Sequence, residues 1–235
     1  HSHTHSFPTR RSSDLPYQYA FYVKHSTATG WTTIKSYSTT ATKTWTPERT
    51  GTYQICAKVK DAKGTEVEKS FTLTVKAPLA NKSTISKTMI TKGDSVTIKA
   101  VATGGTSPYQ YTFSVKHSSA TDWTTIKSYS TTSTKTWTPD KTGKYSVCAK
   151  VKDSNGTVVR KFFTLTVYAP LINKSTISNT TITKGNSITL TGKATGGKAP
   201  YQYAYCYKKA SSTSCTTAKD WSNTTSVSIK PAYAT

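Results

Sequence analysis

Apolar and polar residues alternate in short runs along the chain, with turn residues between them. Tyr109, Tyr111, Phe113 and Val115 alternate with Gln110, Thr112, Ser114 and Lys116. Tyr145, Val147, Ala149 and Val151 alternate with Ser146, Cys148, Lys150 and Lys152, and Val96, Ile98, Ala100 and Ala102 with Thr97, Lys99 and Val101. Phe163, Leu165 and Val167 supply a last run. A period of two predicts half-buried antiparallel strands, and no segment carries a helical period. The many Thr and Val residues suit pleated surfaces. Gly104-Gly105 breaks the chain before the aromatic run, and Asp61-Ala62-Lys63-Gly64 and Asp153-Ser154-Asn155-Gly156 fit hairpin turns closed by glycine.

The pattern returns at a fixed interval. The ten residues from Trp31 to Thr40 recur unchanged from Trp123 to Thr132, a shift of 92. The same shift carries Pro16 to Pro108 to Pro200, Cys56 to Cys148 and Pro78 to Pro170. A constant period without insertions marks a tandem array. It divides the chain into a leader (1–15), a partial repeat lacking its first strands (16–76), a complete repeat (77–168) and a partial repeat lacking its last strands (169–235). Each missing strand removes inward residues such as Val96 and Ile98, each worth roughly 1.5–3 kcal/mol when buried. The middle repeat is therefore expected to fold alone and the outer two are not.

The leader differs in character. Ser6 to Leu15 resembles the translation of a widely used sequencing-library adapter, and repeat-like sequence begins at the next residue. Residues 1–15, His1, His3 and His5 included, are accordingly excluded from any functional reading.

The run Trp137-Thr138-Pro139-Asp140-Lys141-Thr142-Gly143-Lys144-Tyr145 resembles the tyrosine corner of immunoglobulin-like sandwiches. With the Gly-Gly-x-x-Pro-Tyr-Gln-Tyr entry to the aromatic strand, residues 16–235 resemble bacterial immunoglobulin-like or triple-tyrosine modules, found in tandem in secreted and surface proteins of Gram-positive bacteria. The resemblance implies an all-β fold of tandem immunoglobulin-like sandwiches and an extracellular or cell-surface location. It implies a non-catalytic spacer or adhesion stalk; the alternative is a cell-wall or carbohydrate-binding accessory region of a larger hydrolase or peptidase. One departure is plain: no cysteine lies on the Val96 strand, so the inter-sheet bridge of antibody domains is absent.

Charge narrows the partners. The formal net charge is +22, from 32 Lys+Arg against 10 Asp+Glu, and setting aside Arg10, Arg11 and Asp14 leaves +21. Only Arg10, Arg11, Arg49 and Arg160 are arginines. Spread lysines without a recognised motif argue against nucleic acid. No stretch is long and apolar enough to span a membrane as a helix.

The candidate binding surface is an outward face bearing Trp123, Tyr129, Lys116, Lys150 and Lys152, with Trp31 at the matching position of the first repeat. Trp123, Thr125, Lys127 and Tyr129 are expected to alternate on one side of their strand. Such aromatics among lysines could stack on sugars and attract an anionic wall polymer or glycan. The competing reading lays Trp123 flat over Ser114 and Cys148, sealing its own sheet, with Cys56 and Cys148 on the outer side. Trp45 and Trp137 correspond to Ile229 and are expected in the core.

Cys206 and Cys215 replace Tyr22/Ser114 and Trp31/Trp123, positions that face each other across a hairpin, and so are a candidate disulfide. Free thiols, or a bridge to a cysteine outside this sequence, are the alternatives. Two such ligands fall short of a zinc site, and the turn aspartates lack the clustered carboxylates of a calcium site. No cofactor is implied. His25 and His117 are one repeat position seen twice, replaced by Lys209 in the third, and are expected in a loop without an acidic orienting partner, which argues against an enzyme. The Asn-x-Ser/Thr sites at Asn81 and Asn173 are expected by chance in so Ser/Thr-rich a chain.

Overall fold

The computed structural model describes residues 16–231, all in strands, turns and loops without a helix; the leader lies outside the described residues. Strands follow in the order β1 (Gln18–His25), β2 (Thr32–Ser38), β3 (Gly51–Lys60), β4 (Glu66–Val75), β5 (Ala80–Asn81), β6 (Thr84–Ile85), β7 (Met89–Thr91), β8 (Val96–Lys99), β9 (Ala102–Thr103), β10 (Gln110–His117), β11 (Thr124–Ser130), β12 (Thr134–Trp137), β13 (Gly143–Lys152) and β14 (Val158–Tyr168). The third repeat adds β15 (Ile172–Asn173), β16 (Thr176–Ile177), β17 (Ile188–Thr191), β18 (Ala194–Thr195), β19 (Tyr203–Tyr207), β20 (Thr216–Ser222) and β21 (Ser226–Ile229). Two compact units result. One gathers the described residues up to Ala80 with Thr103–Thr106, the other Asn81–Ala102 with the chain from Ser107 onward.

The first unit is built on one four-stranded sheet of order β2-β1-β3-β4. In the second unit the same sheet recurs as β11-β10-β13-β14, extended by β7, which runs parallel to β14. The registers agree residue for residue at the repeat interval: Tyr19 faces Val59 and His25 faces Tyr53, just as Tyr111 faces Val151 and His117 faces Tyr145. A second sheet, β12-β8-β6, completes the sandwich. Val96, Ile98, Phe113, Val147, Ala149, Val151 and Leu165 are all at or below 1% exposure, and they form the core between the sheets. Their inward phase is the one that alternation predicts. This is an all-β, immunoglobulin-like β-sandwich architecture repeated in tandem.

In the third repeat, β16-β17-β21 repeats the order of β6-β8-β12, and β19 pairs with β20 as β10 does with β11. A cleft of about 910 Å³ opens beside β19, lined by Ile177, Leu190, Tyr201, Tyr203, Tyr205 and Trp221. At the matching place in the central repeat, β13 pairs along the whole of β10.

A corner of three side chains fixes where β13 starts. The Tyr145 hydroxyl reaches back to Asp140 Oδ1 (3.1 Å) and the Lys141 carbonyl (3.3 Å), and it accepts from the Lys141 amide (3.2 Å). His117 and Trp137 meet its ring edge-on, with centroids at 4.8 and 5.1 Å. Gly143 has φ +120°, and a Cβ there would lie 2.7 Å from His117 Nε2. Only glycine satisfies both the backbone angle and the approach of the ring. The first unit repeats the arrangement with Gly51, His25, Trp45 and Tyr53, whose hydroxyl donates to the Arg49 carbonyl at 3.2 Å.

Three expectations change. The run Val96–Ala102 is not one strand: β8 pairs with β12 and ends at Lys99, while β9 resumes at Ala102 and pairs with β5 instead. Trp45 and Trp137 are half-buried rather than core residues, since each leans its edge on a corner tyrosine. The histidines end strands rather than sitting in loops. His117 Nδ1 accepts the Ser119 amide at 3.2 Å, which leaves the proton on Nε2 to donate to the Thr142 carbonyl at 3.0 Å.

Candidate functional site

Strand pairing assigns the outward face of the central sheet row by row. Gln110 faces Lys152 and Lys152 faces Val158; Thr112, Lys150 and Arg160 form the next row; Ser114, Cys148 and Phe162 the next; Lys116, Ser146 and Thr164 the last. Lys116, Lys150 and Lys152, foreseen as one surface, therefore share this face, and Arg160 and Phe162 join them. Arg160 and Phe162 were missed because the run read as the last strand began at Phe163. Extending the same alternation back to Val158 would have found them.

Trp123 lies beside Phe162, with ring centroids 5.9 Å apart and planes tilted by 50°. Beneath them Ser114 and Cys148 are buried at 5% and 2% exposure, although they point away from the core. Trp123 and Phe162 themselves remain 42% and 58% exposed. The pair thus seals the sheet with one side and presents an aromatic ledge with the other. Burial pushes the Cys148 thiol pKa up, while the nearby charges of Lys150 and Arg160 pull it the opposite way. Lys152 Nζ stands 4.3 Å over the ring of Tyr129, which is 40% exposed.

The expected alternation of Trp123, Thr125, Lys127 and Tyr129 is broken at Lys127, while the other three lie on the outward face. The β10–β11 register slips on both sides of Phe113, which pairs with Lys127 while Ser114 pairs with Thr125 and Tyr111 with Ser130. The Thr112 hydroxyl caps the irregular stretch by donating to the Lys127 carbonyl at 2.6 Å. Lys127 Nζ turns to the Thr134 carbonyl (3.2 Å) and is spent on the start of β12.

The first repeat carries a different outward face on the same scaffold. Over β4 and the matching stretch of β14, seven of ten residues are identical. The three differences are Glu66 to Val158, Glu68 to Arg160 and Ser70 to Phe162, and all three point outward. Lys58 meets Glu68 at 3.4 Å, and that hydrogen bond raises the lysine's pKa. Trp31, 49% exposed, has Ser70 where Trp123 has Phe162.

In the third repeat a disulfide joins Cys206 and Cys215, whose Cα atoms are 6.0 Å apart across the β19–β20 hairpin. Cys56 and Cys148 are free and lie on the outward side of their sheet, as their phase predicts, yet are buried there.

Asn81 has a role that sequence reading did not assign. Its amide donates to the Ala149 carbonyl (2.9 Å) and the Val159 carbonyl (3.0 Å), while its Oδ1 accepts from the amide and hydroxyl of the fully buried Ser83. The Asn-x-Ser triplet at this site is a structural plug. Nothing in the triplet itself signals that, since its partners are 68 and 78 residues away.

No family model matches the chain, and no curated protein matches it. Among solved structures it is similar to fibronectin(III)-like modules of Clostridium thermocellum CbhA, with 17% identity over 66% of this chain and 80% of that one, at a TM-score of 0.31. It is also similar to a tetra-tandem repeat from the extending region of a large adhesion protein, with 17% identity, 92% of this chain, 58% of that one and a TM-score of 0.30. A Ca2+-stabilised ice-binding adhesin of an Antarctic bacterium gives 17%, 92%, 57% and 0.30. At such scores the fold rests on the strand pairing described above rather than on these likenesses.

Proposed function

We propose that the chain is a non-catalytic, extracellular repeat region that serves as a spacer or adhesion stalk, with 77–168 as its complete unit. The observation that carries the reading is the register of β1 with β3, reproduced by β10 with β13 over eight consecutive pairs at one constant interval. A chain that builds the same sheet twice from nearly the same residues gains length and copy number. The Cys206–Cys215 disulfide supports an oxidising, exported setting. The Ala77-Pro78 and Ala169-Pro170 joints support limited flexing between units, because proline fixes its own φ.

Small-angle scattering on arrays of two, three and four complete repeats tests this. The longest strand, β14, has 11 residues, which at about 3.3 Å per residue makes each unit roughly 36 Å long. The maximum dimension is expected to grow by about that much per added repeat. Growth that stalls as repeats fold back on one another would end the spacer reading.

A further inference from the structure

The two repeats act as an internal control for what their outward faces do. Buried positions of the shared sheet barely differ, and the changes concentrate on the outward side. Among the outward positions of β1, β3 and β4, three lysines oppose Glu66 and Glu68, a net of +1. The matching positions of β10, β13 and β14 hold Lys116, Lys144, Lys150, Lys152 and Arg160 with no acid, a net of +5.

Lys150 and Arg160 are direct cross-strand partners. Like charges placed so are destabilising, and the first repeat shows the same scaffold accepting a Lys–Glu pair there. Ser70 to Phe162 is equally unfavourable for a soluble surface, since Phe162 is left 58% exposed next to Trp123. Cation and ring thus sit side by side on adjacent rows. The same row holds Tyr22 on β1 of the first repeat and Phe162 on β14 of the central one, so a ring is moved beside Trp123 and left more exposed. A repulsive pair and a relocated, exposed ring together suit a ligand that is both anionic and ring-faced.

We propose that this face of the central repeat binds an acidic polysaccharide. Sugar rings lie against the Trp123–Phe162 ledge, and sulfate or carboxylate groups meet Lys150 and Arg160. Stacking on aromatic faces and charge complementarity are the two attractions involved. The first repeat, with Glu68 holding Lys58 and Ser70 in place of the phenylalanine, does not bind. This goes beyond the spacer reading and is independent of it: loss of binding leaves the scattering result untouched, and the reverse also holds.

The test measures binding of dextran sulfate, uncharged dextran and inorganic polyphosphate to the full chain by titration of tryptophan fluorescence at graded salt. Variants are Arg160→Glu and Phe162→Ser, each restoring a residue the first repeat already tolerates, and Lys184→Glu as a charge-matched control in the third repeat. Dextran sulfate is expected to bind and uncharged dextran not to. Arg160→Glu is expected to weaken dextran sulfate by about tenfold, and Lys184→Glu by less than about twofold. Phe162→Ser should weaken dextran sulfate about fivefold and leave polyphosphate unchanged. Equal losses from Arg160→Glu and Lys184→Glu would overturn the proposal, because general basicity would then suffice. No binding of dextran sulfate, or no effect of Phe162→Ser on it, would overturn it as well.

Discussion

Gly143→Ala probes the corner at which β13 begins, and its cost can be worked from the geometry. Alanine at φ +120° enters a region that costs about 1–3 kcal/mol for an L-residue. The new methyl would sit 2.7 Å from His117 Nε2, so the ring must move. It then gives up its bond to the Thr142 carbonyl, worth about 0.5–1.5 kcal/mol, and its edge contact with Tyr145, worth a similar amount. The sum is about 2–6 kcal/mol against a typical domain stability of about 5–15 kcal/mol. Thermal unfolding of a 77–168 fragment, followed by the fluorescence of Trp137 beside Tyr145, should show a melting temperature lower by roughly 8–48 °C. A double-mutant cycle isolates the ring. With His117→Ala in place, Gly143→Ala should cost only the backbone strain, leaving about 1–3 kcal/mol of coupling. A cost below about 0.5 kcal/mol, or the same cost in both backgrounds, would refute the assignment of this glycine to the histidine's approach.

Asn81→Ala is expected to destabilise the central repeat by about 1–3 kcal/mol in chemical denaturation, because two strand carbonyls lose their donor. Cys148, with its folded pKa raised by burial, should resist iodoacetamide in the native protein and react on unfolding. The sign follows: its contribution is fully present below the unfolded thiol pKa and is lost as pH rises from there towards the folded value. Denaturation midpoints at pH 7 and pH 10 should therefore converge for Cys148→Ala relative to the parent. Without reductant Cys206 and Cys215 should remain unalkylated even when unfolded; labelling of both would contradict the disulfide. Limited proteolysis is expected to leave a resistant fragment near Ala77–Tyr168, and its absence would count against that unit as an independent fold.

The long strands were legible because eight to eleven residues suffice to show a period of two. Short ones such as β6, with two residues, and β7, with three, have no period to show. Their existence depends on partners distant in sequence. The inward phase of Val147 and Val151 followed from alternation alone, whereas the burial of Cys148 needed the further reading that Trp123 lies over it. Alternation says which way a side chain points; only the matching position of Trp123 and Cys215 in the repeats suggested what covers it. The site was half visible for the same reason. Lysines on β10 and β13 could be placed on one face, but Phe162 acquires meaning only next to Trp123. The register slips that take Lys127 off the face arise from pairing, which no single strand encodes.

Met89–Thr91 runs parallel to Thr166–Tyr168, near the point where the chain enters the repeat and the point where it leaves. Pulling those two ends apart drags neighbouring strands lengthwise in opposite directions. The bonds between them, such as Thr166 N to Thr88 O at 2.9 Å and Lys92 N to Tyr168 O at 2.7 Å, are then loaded in shear and must yield together. An antiparallel pair joined at a hairpin would instead unzip one bond at a time. A stalk under tension would load this short clasp in shear once the pairings of β5 and β6, which precede it in the chain, had given way.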